Sequence, residues 1–331
     1  MNKLAIILLN WNGHEDTVEC IESIRENEEQ LFTIFLLDNG SKPESVDYIE
    51  EWLRKKYKYN FKLFNFDSFN SQNKFFGTDL YLIKGNENLG FAKGNNVIWE
   101  KIKDMYDYVL LLNNDTVIED KSISRMVSYM NNNPEVGVAS CDIRLYSNRD
   151  KLWNAGGYFT WYGDRKYYSQ SVIDEYKGRG VKSIHTPFVT GCAMMVRQSV
   201  SKSIGTFTEK FFFGEEDFNY CKRLSNAGIR VESFLDATIY HKVGTSIKKN
   251  QKSINNYILH FSNRIINQRE FMPKIKWFIW KQLYMMAIFI KVWRMNNNIK
   301  DAFKVIKNIN YYTKNYNGID YKTFLKINSI K

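Results

Sequence analysis

The sequence predicts an α/β protein with a mostly parallel sheet and helices on both of its faces. Short apolar runs alternate with helical segments from Leu4 to about residue 140, a pattern typical of parallel strands joined by helices. Four of these runs stop abruptly in polar residues, which include Asn10, Asp38, Asn88 and Asn113. Because ligands bind beyond the carboxyl ends of parallel strands, the four endings are expected to share one pocket. This convergence favours an enzyme.

The strands and helices of the first 140 residues follow from the spacing of apolar residues. Short apolar runs predict strands at 4–9, 32–38, 61–66, 80–84, 107–112 and 136–140. Apolar residues at helical spacing predict helices at 14–26, 45–57, 92–103 and 121–131. Residues 67–78, rich in Asn, Ser and Phe, are predicted to form an inserted loop or hairpin.

The rest of the chain divides near residue 245. From 141 to 188 the periodicity weakens into short, aromatic-rich strands, which predict a mixed extension of the sheet. A helix is predicted at 217–227, before Gly228, a residue suited to the C-terminal end of a helix. After Ser246 the predicted helices carry aromatic and apolar residues interleaved with Lys and Arg. The predicted units are one domain, 1–245, with halves 1–140 and 141–245, and a basic helical region, 246–331.

Composition indicates a folded protein of a reducing compartment. Of the 331 residues, 44% are hydrophobic and 16% aromatic, more than a disordered chain carries. The four cysteines are far apart in the sequence, which argues against a structural zinc site and a disulfide framework and favours the cytoplasm. The first apolar run is too short for a secretion signal and is predicted to be a buried strand. The longest apolar stretch, 271–292, is interrupted by four lysines, so no membrane-spanning segment is expected.

Asp115 is the first candidate for chemistry. It follows Asn113 and Asn114 at the end of a predicted strand, where a carboxylate can hold Mg²⁺ or Mn²⁺ and leave coordination sites open for a substrate diphosphate. The alternative is an ordinary turn, since Asn and Asp are common turn formers. His241 ends another predicted strand and is the natural second ligand, although a lone histidine in such a place is more often structural.

The segment Asn88–Asn96 leads from a predicted strand into a helix. Its backbone N–H groups, Lys93 and its amide side chains are suited to holding a phosphate or a ribose. The alternative is an ordinary glycine-containing turn. The segment lacks both the glycine spacing of dinucleotide-binding proteins and the lysine ending of a P-loop, so neither a nicotinamide-dependent enzyme nor an ATPase is favoured.

Three acidic residues, Glu215, Glu216 and Asp217, directly precede a predicted helix. Negative charge is stabilised at a helix N-terminus, which is the structural explanation for them. Crowding carboxylates beside the apolar cluster 211–213 is also expected to raise at least one pKa, which suits a general base. Asp217 and Glu216 are the candidates for that role.

Taken in order, these segments resemble the inverting GT-A glycosyltransferases, specifically the large bacterial family that includes rhamnosyltransferase-like enzymes. The motifs that carry the resemblance are Asn10–Gly13, Leu37–Ser41, Asn88–Asn96, Leu112–Asp115, Asn154–Gly157, Thr190–Met194, Glu216–Asp217, and His241 before Gly244–Thr245. Each motif is loose, but their joint occurrence in this order is specific. One position departs from the pattern: Asn219 stands where relatives often carry a further acid.

The resemblance implies a reaction. A sugar, with rhamnose suggested by the family likeness alone, moves from a nucleotide-diphosphate donor to a hydroxyl of a glycan or a lipid-linked acceptor. The setting it implies is bacterial surface polysaccharide assembly. Residues 1–140 would bind the nucleotide sugar, and residues 141–245 would bind the acceptor.

The resemblance also implies roles for individual residues. Asp115 and His241 would hold a divalent metal, Mg²⁺ or Mn²⁺, on the diphosphate of the donor. Asp217, with Glu216 beside it, would deprotonate the acceptor hydroxyl. The residues that would bind the nucleotide sugar are Asn10, Asn12, Asp38, Asn88, Gly90, Lys93, Asn95, Asn113, Asn114, Gly191 and Cys192.

The net charge of +11 lies in the tail, because the chain from Ser246 to Lys331 carries seventeen lysines and arginines and three acidic residues. Three uses are compatible with this pattern: a helical scaffold with a solvated basic face, nucleic-acid binding through Lys, Arg and stacked aromatics, or contact with anionic lipid headgroups. We favour the lipid surface, because lipid-linked acceptors are common in bacterial glycan assembly, and expect no nucleic acid. The predicted location is the cytoplasm, peripheral on the inner face of the membrane, and a homo-oligomer is compatible with the sequence.

Overall fold

The computed structural model describes residues 3–29, 31–75, 77–160, 164–243 and 254–330. The strands of the first half are β1 (Leu4–Asn10), β2 (Phe32–Asp38), β3 (Phe61–Asn65), β4 (Leu80–Lys84), β5 (Tyr108–Asn113), β6 (Thr116–Ile118) and β7 (Val136–Leu145). The helices between them are α1 (His14–Asn27), α2 (Pro43–Lys55), α3 (Phe66–Ser71), α4 (Gly90–Ile102) and α5 (Ser122–Asn132). These bounds confirm the predicted alternation of strands and helices.

The second half adds both strands and helices. Its strands are β8 (Asn148–Asn154), β9 (Gly157–Phe159), β10 (Arg165–Tyr167), β11 (Ser183–His185), β12 (Ala193–Arg197) and β13 (Arg230–His241). Its helices are α6 (Gln170–Gly178), α7 (Gln198–Ile204) and α8 (Glu216–Asn226). Within the described residues, β1 to β8 and β11 to β13 form one sheet of eleven strands, and β9 pairs with β10 in a separate hairpin.

The parallel part of the sheet sets the polar strand endings side by side. Strands β3, β4, β2, β1 and β5 are neighbours in that order and all run parallel. In register, Asn10 lies beside Asp38, Leu9 beside Asn113, and Asp38 beside Lys84. The four endings therefore share one edge of the sheet, which confirms the predicted convergence.

The two faces of the sheet are covered by different helices. Side chains alternate along a strand, so neighbouring residues enter opposite cores. Ile6 of β1 packs in the core formed with α1, α2 and α5, whereas Ile7 packs in the core formed with α4, α7 and α8. The sequence prediction of helices on both faces is confirmed.

Strand β13 joins the far side of the sheet and carries His241 to the site. It runs parallel to β7, while β12 lies antiparallel between β5 and β7. At its end β13 pairs antiparallel with β6, so that His241 lies opposite Thr116. This pairing brings the last residue of β13 next to the turn that follows β5.

Three local predictions need correction. Residues 67–78, predicted as a loop or hairpin, begin inside helix α3, where the Asn65 side chain accepts a hydrogen bond from the Ser68 N–H at 2.8 Å and Phe69 is fully buried. The region 141–188, predicted to hold only strands, also contains α6. That helix buries a single apolar residue, Ile173, so it leaves almost no periodic signal. Strand β7 continues to Leu145, five residues past its predicted end.

The C-terminal region is helical, as predicted, and packs on the first domain. Its helices are α9 (Ile254–Phe271), α10 (Lys274–Asn296), α11 (Ile299–Asn315) and α12 (Tyr321–Asn328). They share their own apolar core, into which Phe211 of the first domain also inserts. The predicted boundary at residues 245 and 246, and the motif residues Gly244 and Thr245, lie outside the described residues. No helix in the described part of the chain is both long enough and apolar enough to cross a membrane.

Candidate active site

The structure brings the two predicted metal ligands together. Asp115 lies in the turn between β5 and β6, and His241 is the last residue of β13. Asp115 Oδ1 and His241 Nε2 are 3.0 Å apart. The His241 side chain is only 3% exposed, whereas that of Asp115 is 17% exposed. The carboxylate is therefore the more accessible member of the pair.

The donor atoms of this pair suit a divalent cation. Two ligands bound about 2.1 Å from one ion and at a right angle lie about 3 Å apart, close to the observed separation. Carboxylate oxygen and imidazole nitrogen are both ligands of Mn²⁺, and carboxylate oxygen is the preferred ligand of Mg²⁺. Among the described residues, no group of three or more His, Cys, Asp and Glu side chains could hold a metal ion. The pair Asp115 and His241 would thus rely on substrate oxygens and water for the remaining coordination positions.

A cavity of about 290 Å³ lies beside the predicted base, Asp217. Its lining is mainly aromatic: Trp153, Asn154, Tyr167, Phe188, Thr190, Asp217 and Phe218. The ring of Trp153 packs edge-on against His241, with 4.4 Å between the ring centroids. Trp153 thus contacts His241 and lines the cavity together with Asp217, whereas Asp115 and His241 are not among the residues that line it.

Asp217 is held by backbone N–H groups at the start of α8. Its Oδ2 accepts a hydrogen bond from the Gly191 N–H at 3.2 Å, and its Oδ1 accepts one from the Phe218 N–H at 2.8 Å. Burial raises the pKa of Asp217 to about 6, and the positive charge of Arg165 limits the rise. A carboxylate with that pKa is ionised at neutral pH and still basic enough to accept a proton.

Glu216 differs from its neighbour. Its side chain is buried, and Glu216 Oε2 has no hydrogen-bond partner among the described residues. Burial, reinforced by the negative charge of Asp217, raises the pKa of Glu216 to about 8. Glu216 therefore stays mostly protonated at neutral pH, and it does not line the cavity. Asp217, unlike Glu216, therefore borders the cavity and is ionised at neutral pH.

The negative charge of Glu215, the first acid of the triplet, is balanced by two arginines. It accepts hydrogen bonds from Arg165 at 2.7 Å and from Asn267 of α9 at 3.0 Å, and Arg264 lies 3.7 Å away. Burial alone would raise the pKa of Glu215, but the two arginines outweigh burial and lower it. The guanidinium of Arg165 also lies 3.3 Å from the centroid of the Phe218 ring. Two arginines distant in the sequence thus hold Glu215, the residue next to Glu216 and Asp217.

Asn10 and Asp38 lie below the surface at the ends of β1 and β2. Both are essentially inaccessible to solvent, and Asn10 Nδ2 donates to Asp38 Oδ1 at 2.8 Å. Asp38 Oδ2 accepts from the Ser41 N–H at 3.1 Å. Asn12, by contrast, is exposed, and its Oδ1 accepts from the Lys42 N–H at 2.9 Å. In this structure Asn10 and Asp38 shape the turn of residues 39–41, whereas Asn12 lies on its outside.

The Asn88–Asn96 segment is fixed by hydrogen bonds to the neighbouring strand ending. Asn88 Oδ1 accepts from the Gly90 N–H at 2.8 Å and from Asn39 Nδ2 at 3.2 Å. Lys93 is exposed, but Asn95 is buried and donates to the Phe91 carbonyl at 2.9 Å. Lys93 and Asn88 are therefore the members of this segment with access to a ligand.

Asn113 and Asn114 directly precede Asp115, and Gly191 and Cys192 are neighbours of Asp217 and Asn113 through backbone hydrogen bonds. Asn114 Nδ2 donates to Thr17 Oγ1 at 2.7 Å, and the Asn113 N–H donates to the Cys192 carbonyl at 2.8 Å. A Cβ added to Gly191 would lie 3.0 Å from the ring of Phe91, so this glycine permits close packing beside Asp217. Burial raises the pKa of the Cys192 thiol well above its usual value, which leaves it neutral.

The family is decided by comparison with known proteins. The family model described as "Glycosyl transferase family 2" matches residues 5–205, well over half of the chain. The chain belongs to glycosyl transferase family 2. A curated relative, the teichoic acid poly(glycerol phosphate) polymerase of Staphylococcus epidermidis, is 26% identical over 132 residues, which are 40% of this chain and 15% of the relative. The chain thus spans only a small part of that relative.

Solved structures show the same fold. GalNAc-T7 in complex with UDP, GalNAc and Mn²⁺ superposes with a TM-score of 0.63 and 11% identity, over 98% of this chain and 56% of that one. The mannosyltransferase PcManGT from Pyrobaculum calidifontis, in complex with GDP-Man and Mn²⁺, gives a TM-score of 0.52 and 13% identity, over 80% and 64% of the two chains. The predicted GT-A fold is confirmed.

Several residues of this family 2 site could not be identified from the sequence pattern. Trp153, Tyr167 and Phe188 line the cavity, yet in the sequence they are three among many aromatic residues. Arg165 and Arg264 hold Glu215 from positions 50 residues before it and 49 residues after it. Only the tertiary fold reveals these contacts.

Proposed function

We propose that the protein is an inverting glycosyltransferase that moves a sugar from a nucleoside-diphosphate donor to an acceptor hydroxyl. The observation that carries the proposal is the position of Trp153, which packs against His241 of the Asp115–His241 pair and lines one cavity together with Asp217. A single displacement needs charge stabilisation at the leaving diphosphate and a base at the incoming hydroxyl, on opposite sides of the anomeric carbon. The two centres are suited to these two tasks.

Asp115 and His241 are the proposed ligands of a divalent cation, Mn²⁺ or Mg²⁺. When bound, such an ion would offset the negative charge that develops on the leaving diphosphate. The Mn²⁺ present with GalNAc-T7 and PcManGT supports this assignment. The accessible carboxylate of Asp115 would face the donor, and His241, held against Trp153, would complete the protein side of the site.

The donor is proposed to bind along the strand endings of β1, β2 and β4. The accessible side chains there, Asn12, Asn88 and Lys93, would contact the nucleotide sugar directly. The buried members of the predicted set, Asn10 and Asp38, would act from below by fixing the turn of residues 39–41. Gly90, Asn95, Asn113, Asn114, Gly191 and Cys192 would shape the floor and walls of the same site.

Asp217 is the proposed base. The Gly191 and Phe218 N–H groups orient its carboxylate, and its raised pKa allows it to take the proton of the acceptor hydroxyl as the new glycosidic bond forms. The proton moves from the acceptor oxygen to an oxygen of Asp217, and the electron pair of the broken bond leaves with the nucleoside diphosphate. Glu216 would remain protonated beside it.

The acceptor is proposed to be a saccharide, free or lipid-linked, of a bacterial surface polymer. Aromatic walls such as Trp153, Tyr167 and Phe188 offer apolar faces to a sugar ring, with Asn154 and Thr190 as polar partners. The relative that polymerises teichoic acid supports cell-surface polymer synthesis as the setting. The four unpaired, buried cysteines agree with a reducing cytoplasm as the place of the reaction.

A thermal-shift panel with UDP-, dTDP- and GDP-sugars and Mn²⁺ tests the donor site. We expect one nucleotide class to raise the melting temperature, and dTDP-rhamnose among the sugars tests the family likeness. The Asp217→Asn variant should keep that shift but lose transfer by about a hundredfold or more. Asp236→Asn, which changes an exposed aspartate of β13, is the matched control. Full turnover by Asp217→Asn would refute the assignment of the base.

Metal dependence is tested separately. EDTA should abolish transfer, and added Mn²⁺ or Mg²⁺ should restore it, because the diphosphate leaves poorly without a counterion. Asp115→Asn should weaken the Mn²⁺-dependent part of the thermal shift, a readout that does not need turnover. Undiminished transfer in metal-free buffer would remove Asp115 and His241 from this role.

A further inference from the structure

Helix α10 carries an exposed apolar face along its whole length. We call it the α10 stripe, and it consists of Ile275, Phe278, Ile279, Leu283, Met286, Ile290 and Trp293. Their exposed fractions range from 44% at Ile290 to 78% at Ile275. Steps of three or four residues place side chains on one face of a helix, so the stripe is continuous. A contiguous apolar surface of this kind marks an interaction site.

The opposite face of α10 is buried against the other C-terminal helices. Trp280, Ile288 and Val292 are buried in the C-terminal core, and Trp277 Nε1 donates to the Ile265 carbonyl of α9 at 3.0 Å. These contacts fix the rotation of the helix about its axis. The stripe therefore faces outward as a consequence of the packing of α9, α10 and α11.

The surroundings of the stripe are positively charged. Helix α10 contains no acidic residue, and its exposed cations flank the stripe: Lys274, Lys276, Lys291 and Arg294. Each of the three acids of the described C-terminal region is bonded to another side chain or caps a helix. Glu270 pairs with Lys210, Asp301 accepts from Asn296, and Asp320 caps α12 at Thr323. The helix with the apolar face thus carries exposed cations and no acid.

We propose that the α10 stripe binds an anionic lipid surface. The helix would lie in the plane of the interface, with the stripe among the upper acyl chains and its flanking cations at the headgroups. Trp293 suits the boundary between headgroups and acyl chains. The enzyme would then work next to a lipid-linked acceptor, an outcome that goes beyond the proposed transfer reaction and does not depend on it.

Two other occupants fit the observations less well. A second copy of the chain would bring two equally basic regions into contact across a two-fold axis, and like charges at an interface oppose association. A nucleic acid would satisfy Lys276 and Arg294 but would leave the seven apolar side chains of the stripe in water, because its backbone contacts are electrostatic. Of these three occupants, the anionic lipid surface is the one that satisfies both the charge and the apolar face.

Co-sedimentation with vesicles, without donor or acceptor, tests the proposal on the full chain. We expect the protein to bind phosphatidylcholine vesicles that contain about 30% phosphatidylglycerol at least about tenfold more tightly than neutral ones, and less tightly at high salt. The triple variant Leu283→Gln/Met286→Gln/Ile290→Gln should lose this binding. Leu283→Gln alone should weaken it, whereas Leu31→Gln should not, although Leu31 is as exposed, at 73% against 63%.

A site-specific probe reports insertion directly. The four native cysteines are buried, so a thiol-reactive NBD dye should label only an introduced cysteine. NBD at Leu283→Cys should shift to the blue with anionic vesicles, and NBD at Leu31→Cys should not. Circular dichroism and melting curves show whether each variant is folded, since all changed side chains are exposed.

Three results would overturn the proposal. The first is equal binding to neutral and anionic vesicles, or binding to neither. The second is vesicle binding by the folded triple variant at the level of the unaltered protein. The third is a dimer that the triple variant converts to a monomer, or salt-sensitive RNA binding that competes with vesicles. None of these results bears on sugar transfer, so failure here leaves the proposed function testable by itself.

Discussion

Three consecutive carboxyl groups at the start of α8 have three different environments. Glu215 is paired with Arg165 and hydrogen-bonded to Asn267, Glu216 is buried with one unpartnered oxygen, and the carboxylate of Asp217 is oriented by backbone N–H groups. Proximity in sequence therefore says little about charge state. Because of these surroundings, Glu215 and Asp217 are ionised at neutral pH, whereas Glu216 stays protonated.

These environments predict the pH dependence of transfer. Asp217 must be ionised to accept a proton, and its pKa is raised to about 6. The value of kcat/KM should therefore be level above that pH and fall about tenfold per pH unit below it. The negative charge of Glu215 contributes to the rise. Glu215→Gln should consequently lower the pKa of Asp217 and move the acid limb to lower pH.

The measurement is a pH profile of kcat/KM for the unaltered protein and two variants. Glu175→Gln, which changes an exposed acid of α6 paired only with Arg179, is the control and should leave the limb in place. A limb that Glu215→Gln leaves unmoved or shifts upward would contradict the electrostatic role of Glu215. Melting curves separate this effect from partial unfolding.

At the scale of elements, the backbone around Gly90 links the donor segment to the base. Gly90 has a φ of +78°, and a Cβ there would lie 2.3 Å from the Phe212 carbonyl oxygen. The next residue, Phe91, donates its N–H to that same carbonyl and packs its ring against Gly191, whose N–H binds Asp217. The start of α4 is therefore coupled to the base through close backbone contacts.

We predict that Gly90→Ala destabilises the protein by at least about 2 kcal/mol, because the new methyl group clashes with backbone in a left-handed conformation. Urea denaturation measures the change in the free energy of unfolding. Gly178→Ala is the matched control: a Cβ there meets nothing within 4 Å and the residue ends α6, so stability should be unchanged or slightly higher. Equal stability of the two variants would show that the packing around Gly90 is not tight.

The sequence predicts a helix well when one of its faces is apolar, and a strand well when its central residues are apolar. Strand β4 was predicted at its observed bounds, and the polar endings after β1, β2 and β5 share an edge because parallel strands share a direction. From the sequence, Asp115 and His241 could be predicted only to lie at the ends of two strands. The geometry of the pair depends on the pairing of β13 with β6, which sets His241 opposite Thr116, 125 positions away, and which local patterns do not encode. Helix α6, with one buried apolar residue, shows the same limit.

At the scale of the whole molecule, the C-terminal helices hold the segment that leads into α8. Ile319 bonds through its backbone to Lys210 and Phe212, and Asn267 of α9 bonds to Glu215 and Asn219. Every one of these partners lies between residues 210 and 219. The C-terminal region that carries the α10 stripe therefore also holds the start of α8, through Asn267 of α9 and the backbone of Ile319.

This coupling predicts the effect of Asn267→Ala. The variant removes the hydrogen bonds of Asn267 to the Glu215 carboxylate and to Asn219. A lost hydrogen bond to a charged group costs about 1.5–3 kcal/mol, so kcat should fall at least about tenfold if the start of α8 loses its alignment. The donor KM should not change, since the hydrogen bonds of Asn267 go to Asn219 and Glu215, which are not among the residues proposed to contact the donor. Steady-state kinetics at several donor concentrations measure both constants.

Asn315→Ala provides the comparison, because Asn315 is an exposed residue of α11 that donates only to the carbonyl of Tyr311 one turn earlier. It should leave kcat and KM as they are. A fall in kcat of equal size in both variants would mean that the C-terminal region responds as a whole to any loss of stability. If Asn267→Ala instead raises the donor KM at constant kcat, the C-terminal region acts on donor binding. That result would contradict an effect through Glu215.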